Sequence, residues 1–283
     1  MKKNNDVVKA IANEQEEVSF ENTANIVDSV DVLDEDDLHG EFPCGLLYEN
    51  TVHTSFEFRE MTGADEEAIT SISKKNGGAK LINKLLERCL TRIGEFTPKS
   101  VGADTWKRLV ELLSVPDQDF AMMKIREVSL GGEIESSAIC PHCGEKVKTY
   151  FDINELEVLP YTGDDSHVLI IDLPRGYTDP KGVVHKQIEM RLPNGLDREI
   201  SLPIARSNES KAITLLLTRV CKFTDGYPVT ESVLRDMKLR DRQELEKKNK
   251  EFVKFGYQYT IEAECPACGG EFETILNGFK NFL

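Results

Sequence analysis

Two short cysteine motifs, CPHCG at residues 140–144 and CPACG at residues 265–269, most strongly constrain how this chain can fold. Each motif supplies two thiols separated by two residues, which is half of the four-ligand set that Zn²⁺ takes in structural sites. Proline favours the turn between the thiols, and glycine can adopt the positive φ that points backbone N–H groups at sulfur. The motifs therefore predict one structural zinc site with four ligands, Cys140, Cys143, Cys265 and Cys268.

The separation of the two motifs leaves two arrangements open. Residues 144–264 lie between the cysteine pairs, far more than a compact zinc ribbon needs. Either a domain lies between the two halves of one site, or each pair binds a separate metal together with another chain. Two unrelated pairs of core cysteines are a third, weaker interpretation.

An internal repeat favours a single site. The segment EFREMTGADEE at residues 57–67 is identical to EMRLPNGLDRE at residues 189–199 at five of eleven positions, and Cys89 and Cys221 keep the same offset of 132 residues. Each half then runs through a helical region into a strand, a cysteine motif and a second strand. The sequence therefore predicts an α+β protein of two internally duplicated α/β repeats joined by a four-cysteine zinc ribbon.

The repeat also predicts where the segments of the chain begin and end. Residues 1–40 carry eleven acidic and three basic residues and few large apolar ones, so they cannot bury enough surface to offset their ordering entropy. We expect a disordered acidic arm there, either a solvated tail or a segment that orders on a partner. Repeat 1 is expected over residues 41–151 and repeat 2 over residues 152–283, each ending in a cysteine-tipped hairpin.

Apolar spacing and turn residues predict the elements of repeat 1. A helix is expected to begin near Gly63, to break at residues 77–78 and to resume as an amphipathic helix over residues 81–93. Asp104 and Asp117 are candidate N-caps of two later helices.

Repeat 2 is predicted to begin with two strands, at residues 166–174 and 183–203, with a tight turn at Asn194-Gly195. A core helix follows around residues 215–223. Residues 230–255 form a long charged helix that is either solvated or docks on a partner.

The chain shows no active-site signature. The phosphate-binding, nucleophile-elbow, dinucleotide and zinc-protease motifs are absent from the sequence. The carboxylate pairs Asp65/Glu67 and Asp197/Glu199 could be imagined as an acid–base set. Their place after a turn and before a helix favours capping instead, with Arg59 and Arg191 as ion-pair partners. Cys89 and Cys221 fall on apolar faces and read as core thiols. We therefore expect no enzyme, no catalytic residues, no bound organic cofactor and no small-molecule substrate.

Net charge and hydropathy limit the kinds of partner that the chain can bind. The net charge of −15 argues against binding a phosphate backbone as the main activity. No stretch approaches the length of a membrane span, and the N-terminus has no apolar run of a signal peptide. We expect a cytoplasmic protein that does not insert in a membrane.

Four segments of the chain carry a family likeness. FPCGLLYENTVHTSFEFREMTGADEEAI, RLPNGLDREI, LLLTRVC and IEAECPACGGEF occur in this order over residues 41–283. They resemble the matching segments of baseplate hub assembly proteins from contractile-tailed phages and related injection particles, which share the cysteine knuckle. The resemblance implies a non-enzymatic assembly chaperone or structural component of the tail baseplate, with baseplate or hub proteins as partners. The resemblance implies that the protein is located in the host cytoplasm during assembly, and in the tail baseplate if it stays in the particle.

A second class of function is a zinc-ribbon regulator that contacts nucleic acid or a polymerase. Such a protein needs a basic face near the knuckles. Lys146 and Lys148 flank the first motif, whereas Glu264, Glu271 and Glu273 surround the second. This charge pattern favours the baseplate role and makes nucleic-acid binding an unfavoured alternative.

Overall fold

The computed structural model describes residues 38–275, apart from residues 77 and 206. All described residues belong to one compact unit of mixed helix and sheet. The expected acidic arm at residues 1–40 lies almost wholly outside the described part. None of the described helices is long and apolar enough to cross a membrane.

The first half of the described chain contains a three-stranded antiparallel sheet in the order β1-β2-β3, followed by helices and a hairpin. Its elements are β1 (His39–Tyr48), β2 (Thr51–Phe58), α1 (Gly63–Asn76), α2 (Gly78–Cys89), β3 (Leu90–Ile93), α3 (Pro98–Val101), α4 (Ala103–Leu112), α5 (Val115–Leu130), β4 (Glu133–Ile139) and β5 (Lys146–Asp152).

The second half contains another antiparallel three-stranded sheet, in the order β7-β8-β9, and a second hairpin. Its elements are β6 (Val158–Leu159), β7 (Val168–Thr178), β8 (Val184–Arg191), α6 (Gly195–Ala205), α7 (Glu209–Val220), β9 (Cys221–Phe223), α8 (Glu231–Asp236), α9 (Leu239–Phe252), β10 (Gly256–Tyr257), β11 (Thr260–Glu264) and β12 (Glu271–Ile275).

The same order of elements occurs in both halves: two paired strands, two helices, then a third strand that pairs with the second. The helix predicted to begin at Gly63 is confirmed; it runs to Asn76, and a second helix begins at Gly78. This shared order agrees with the expected duplication, which itself remains a prediction together with its boundaries at residues 40 and 151.

Each half has its own apolar core, and each core receives a residue from the other half. Phe56, Leu85 and Leu109 lie in the first core, which also takes Tyr257 from β10. Ile188 and Phe223 lie in the second, which also takes Cys44 from β1. The exchange ties the two halves together by burial of apolar surface.

Several sequence-based predictions within repeat 1 were wrong in detail. The amphipathic helix ends at Cys89, and Leu90 and Ile93 belong to β3 instead, because β2 offers their backbone an antiparallel partner. Neither predicted aspartate is an N-cap. Gly102 and Ser114 hold those positions, and Asp117 lies in the first turn, where its N–H donates to the Ser114 Oγ at 3.2 Å.

Three predictions in repeat 2 were also wrong. The core helix predicted around residues 215–223 ends at Val220, because residues 221–223 pair with β8 as a strand. The strand predicted over residues 183–203 ends at Arg191, and a helix begins at Gly195 because Asn194 and Asp197 cap it reciprocally: each side chain accepts from the other's N–H, at 3.0 and 3.1 Å. The charged helix expected over residues 230–255 is two helices. The break at 237–238 turns Asp241 inward, where it accepts from the Arg175 N–H at 2.7 Å.

Candidate metal centre

Two antiparallel hairpins carry the cysteine motifs at their tips. In the first, β4 pairs with β5 from Glu133↔Asp152 to Ile139↔Lys146. In the second, β11 pairs with β12 from Thr260↔Ile275 to Glu264↔Glu271. Alternation along the strands places Val147 and Phe272 on the inner faces, where they pack together with the two inner cysteines. The sequence-predicted knuckle hairpins are confirmed.

The two knuckles use the same backbone hydrogen bonds. The Cys140 N–H donates to the Glu145 carbonyl at 2.9 Å, and the Cys265 N–H donates to the Gly270 carbonyl at 3.0 Å. Gly144 and Gly269 have φ values of 79° and 68°, a left-handed conformation that glycine adopts without strain. The glycine in each motif is therefore required by the turn.

The four predicted ligands lie together. The sulfurs of Cys140, Cys143, Cys265 and Cys268 all fall within 4.8 Å of one another. The Cys140 and Cys268 sulfurs are 3.8 Å apart, and those of Cys143 and Cys265 are 3.6 Å apart. A tetrahedral site with Zn–S bonds of about 2.3 Å has sulfur–sulfur edges of about 3.8 Å. The thiols fit a tetrahedral metal ion of this size, with two ligands from each hairpin.

Backbone hydrogen bonds prepare one of the two inner sulfurs for a cation. Cys140 and Cys265 are buried, whereas Cys143 and Cys268 are exposed at the outer edge. Burial opposes ionisation of Cys140, but backbone N–H groups of Cys143 and His142 point at its sulfur and help to lower the pKa of this thiol to about 7. The His142 N–H lies 3.4 Å from that sulfur. A thiolate rather than a thiol is the metal-binding form.

His142 does more than the sequence indicated. This residue lies between two of the cysteines, in the first motif. Its Nε2 lies 3.0 Å from the carbonyl oxygen of Glu271, so the ring reaches from the first knuckle to the second. A Cβ at Gly270 would lie 2.6 Å from the ring. The imidazole is thus a contact between the two hairpins, and the absence of a side chain at Gly270 makes room for it.

The geometry defines the class of site. Four thiols close a tetrahedron, and a closed set of four protein ligands is the mark of a structural centre rather than a catalytic one, which keeps a position open for water or substrate. The fold and site therefore define a protein of mixed helix and sheet in which two hairpins bring together four cysteines that could hold a metal ion.

Comparison with known families agrees with that class and narrows it. The model of the family described as T4 bacteriophage base plate protein matches residues 48–283, which include all four cysteines. The chain belongs to this family. Searches of curated proteins and of solved structures found no match.

A cluster of charged side chains occurs in both halves, and the sequence predicted only part of each cluster. Arg59 forms the predicted ion pair with Asp65, at 2.7 Å, and the equivalent pair between Arg191 and Asp197 measures 2.6 Å. A third residue was missed in each half: Arg88 and Arg219 donate through Nε to the same carboxylates, at 2.6 and 2.8 Å.

The missed arginines lie 131 residues apart, so a search at an offset of 132 does not align them. The pair at the start of the third strand shows the same shift, because Leu90 lies opposite Phe58 whereas Cys221 lies opposite Met190; beyond it, a bulge next to Phe58 changes the offset again. The predicted equivalence of Cys89 and Cys221 is therefore wrong by one residue. Both remain core thiols, as predicted.

Proposed function

We propose that this chain is a non-enzymatic protein of the phage tail baseplate, acting as an assembly chaperone of the hub or as a structural component. The family match over residues 48–283 carries the proposal. The partners would be other baseplate or hub proteins, met in the host cytoplasm during assembly. The chain would also occupy the virion tail if it remains in the particle.

The four-cysteine centre would hold a structural Zn²⁺ in this role. Its support is the fit of the sulfur spacing to a tetrahedron and the all-thiol ligand set. A bound zinc ion supplies folding free energy by joining ligands that are distant in sequence. Cys140 and Cys143 come from the end of repeat 1, and Cys265 and Cys268 come from the end of repeat 2, so the centre would clamp the two repeats.

The interpretation as two repeats, residues 41–151 and 152–283, belongs to this proposal. It is supported by the matching order of elements and by the two arginine–aspartate–arginine clusters. The exchange of Cys44 and Tyr257 between the cores suggests that neither repeat is complete alone.

The surface near the centre disfavours the nucleic-acid alternative. On the second hairpin, Glu262 lies opposite Glu273 and Glu264 lies opposite Glu271, and all four are exposed. On the first hairpin, Lys148 already pairs with Glu135 at 2.7 Å. This face would repel a phosphate backbone.

A phage that lacks the gene tests the proposal. We expect electron microscopy to show missing or incomplete tails, restored when the intact chain is supplied in trans. Mass spectrometry of purified particles separates the two roles, because a chaperone is absent from finished particles and a component is present. Normal infective tails without the chain would refute the baseplate role. Tight, salt-sensitive binding to nucleic acid would favour the regulator instead.

A further inference from the structure

A cleft of about 380 Å³ lies where the two halves meet, away from the cysteine centre. One wall comes from β1 and α4 of the first half, and the other comes from β8, α6 and α7 of the second. Its lining combines two kinds of side chain. Cationic groups are supplied by Arg108, Arg191 and Arg219, and part of the apolar surface by Leu47, Leu112 and Leu196.

The cleft has an excess of positive charge. Arg191 and Arg219 share one carboxylate, Asp197, which leaves one of their two charges uncompensated. Arg108 has only a distant partner, Glu111, at 3.9 Å, and its side chain is 53% exposed. Within the described part of the chain, no acidic side chain lines the cleft. The protein as a whole has a net charge of −15, so this cleft is a positively charged region on a negatively charged protein.

Arg219 is also left with free donors. It binds Asp197 through Nε, and its two terminal nitrogens have no hydrogen-bond partner among the described residues. In the first half, the equivalent Arg88 uses Nη2 to donate to the carbonyl of Ala64 at 3.4 Å. The guanidinium of Arg219 therefore keeps the planar pair of N–H groups that binds a carboxylate in a bidentate manner.

We propose that this cleft binds an acidic segment of a partner protein, with Asp or Glu side chains on Arg108 and Arg219 and apolar side chains on the leucines. Clusters of arginine are a recurrent means of binding acidic motifs. This inference rests on the proposed baseplate role, because that role makes the partner a protein.

The lining favours a peptide over a nucleic acid. The leucines offer apolar contact to side chains, and no Phe, Tyr or Trp of the described chain lines the cleft to stack on bases. The volume suits a few side chains rather than a duplex. The acidic surface elsewhere would repel a long polyanion.

Fluorescence anisotropy with the full chain tests the cleft. The probes are a labelled twelve-residue peptide that alternates Glu and Leu, the matching Lys–Leu peptide, and a labelled twelve-nucleotide single strand of DNA. We expect the Glu–Leu peptide alone to bind. Arg108→Glu should weaken its binding about tenfold, because it replaces an attraction by a repulsion.

Lys107→Glu is the matched control, because it makes the same change of net charge on the neighbouring residue of α4, outside the cleft. Its effect should stay below about twofold. Leu47→Glu is a second cleft variant and should also weaken binding. Melting curves confirm that each variant is folded.

Three results would overturn the proposal: equal losses from Arg108→Glu and Lys107→Glu, no binding of the Glu–Leu peptide, or preferential binding of the DNA. Failure of the baseplate role is measured separately, in phage that lack the gene. The peptide assay on purified protein does not depend on that outcome.

Discussion

Gly63 and Gly195 occupy the same place in the two halves, at the first residue of a helix whose third residue is an aspartate held by two arginines. Their surroundings differ. A Cβ at Gly63 would meet nothing within 4 Å, whereas one at Gly195 would lie 2.0 Å from Nε2 of Gln118 and 2.4 Å from Oδ1 of Asn83. The local motif is common to both halves, but only the second copy is pressed against the other half.

Polar contacts surround that junction. Asn83 donates to Glu199 at 2.9 Å, and Gln118 donates to Asn83 at 2.8 Å. Arg198 forms an ion pair with Asp119 across the same boundary. The comparison teaches that a repeated motif can keep its local role, which is to start a helix, while one copy also acquires a role in holding the halves together.

The largest expected effect comes from substitutions in the cysteine centre. A substitution in either half should have the same effect there. Cys140→Ser and Cys265→Ser should each release the metal and lower stability by about 4 kcal/mol, or about 10 °C in melting temperature. Calorimetry with and without a chelator measures this. His142→Ala is the control and should keep the metal. An unchanged melting temperature in either serine variant would argue against a clamp.

The two buried aspartates should also be equivalent. Asp65→Asn and Asp197→Asn each leave two arginines without their carboxylate, and should lower the free energy of unfolding by about 3 kcal/mol. Chemical denaturation measures both. A loss confined to Asp197→Asn would show that the cluster matters only at the junction.

Arg59 is the main cause of a depressed pKa of Asp65. The stability that this cluster supplies is therefore present above the ordinary aspartate pKa of about 3.9 and is lost as the pH falls below it.

Asp117 should have the opposite pH dependence. Complete burial raises the pKa of this carboxyl to about 6, despite hydrogen bonds from the N–H of Cys44, at 2.8 Å, and from Ser114. Its contribution to stability is full below about pH 3.9 and is lost as the pH rises through about 6.

The isosteric variant Asp117→Asn isolates this effect. It should be more stable than the wild type by about 2 kcal/mol at pH 7.5, and this advantage should vanish near pH 4. Thermal melts across that range measure the difference. A constant difference between the two proteins at every pH would contradict the prediction.

The smallest effects separate the two glycines. Gly195→Ala should destabilise by about 2 kcal/mol, because its Cβ would collide with two buried amide side chains. Gly63→Ala should stabilise by about 0.5 kcal/mol, because alanine favours the helix and the site is open. Similar effects at both sites would remove the distinction drawn between the halves.

The sequence predicted the mixed fold class and the set of four cysteines, because spacing and glycine in a knuckle are local properties of the chain. It missed the helix at Gly195, where Asn194-Gly195 is also the signature of a hairpin turn and only the cap with Asp197 decides between them. It could not show that Cys44 lies in the core of the second half and Tyr257 in the core of the first, since that depends on how the two halves pack.

The second arginine of each cluster, Arg88 or Arg219, was not predicted for a different reason. The helices α2 and α7 have equal length, but they begin 131 residues apart, because 15 positions separate the starts of α1 and α2 whereas 14 separate the starts of α6 and α7. A fixed offset hides such equivalences, whereas the matching contacts of Arg88 with Asp65 and of Arg219 with Asp197 reveal them.

The central claim is that one metal ion joins cysteines from both halves of a single chain. Native mass spectrometry of protein purified without chelator tests it most directly. We expect one zinc ion per monomer, retained in His142→Ala and lost in Cys265→Ser. A monomer without metal, or metal found only in dimers, would contradict the account.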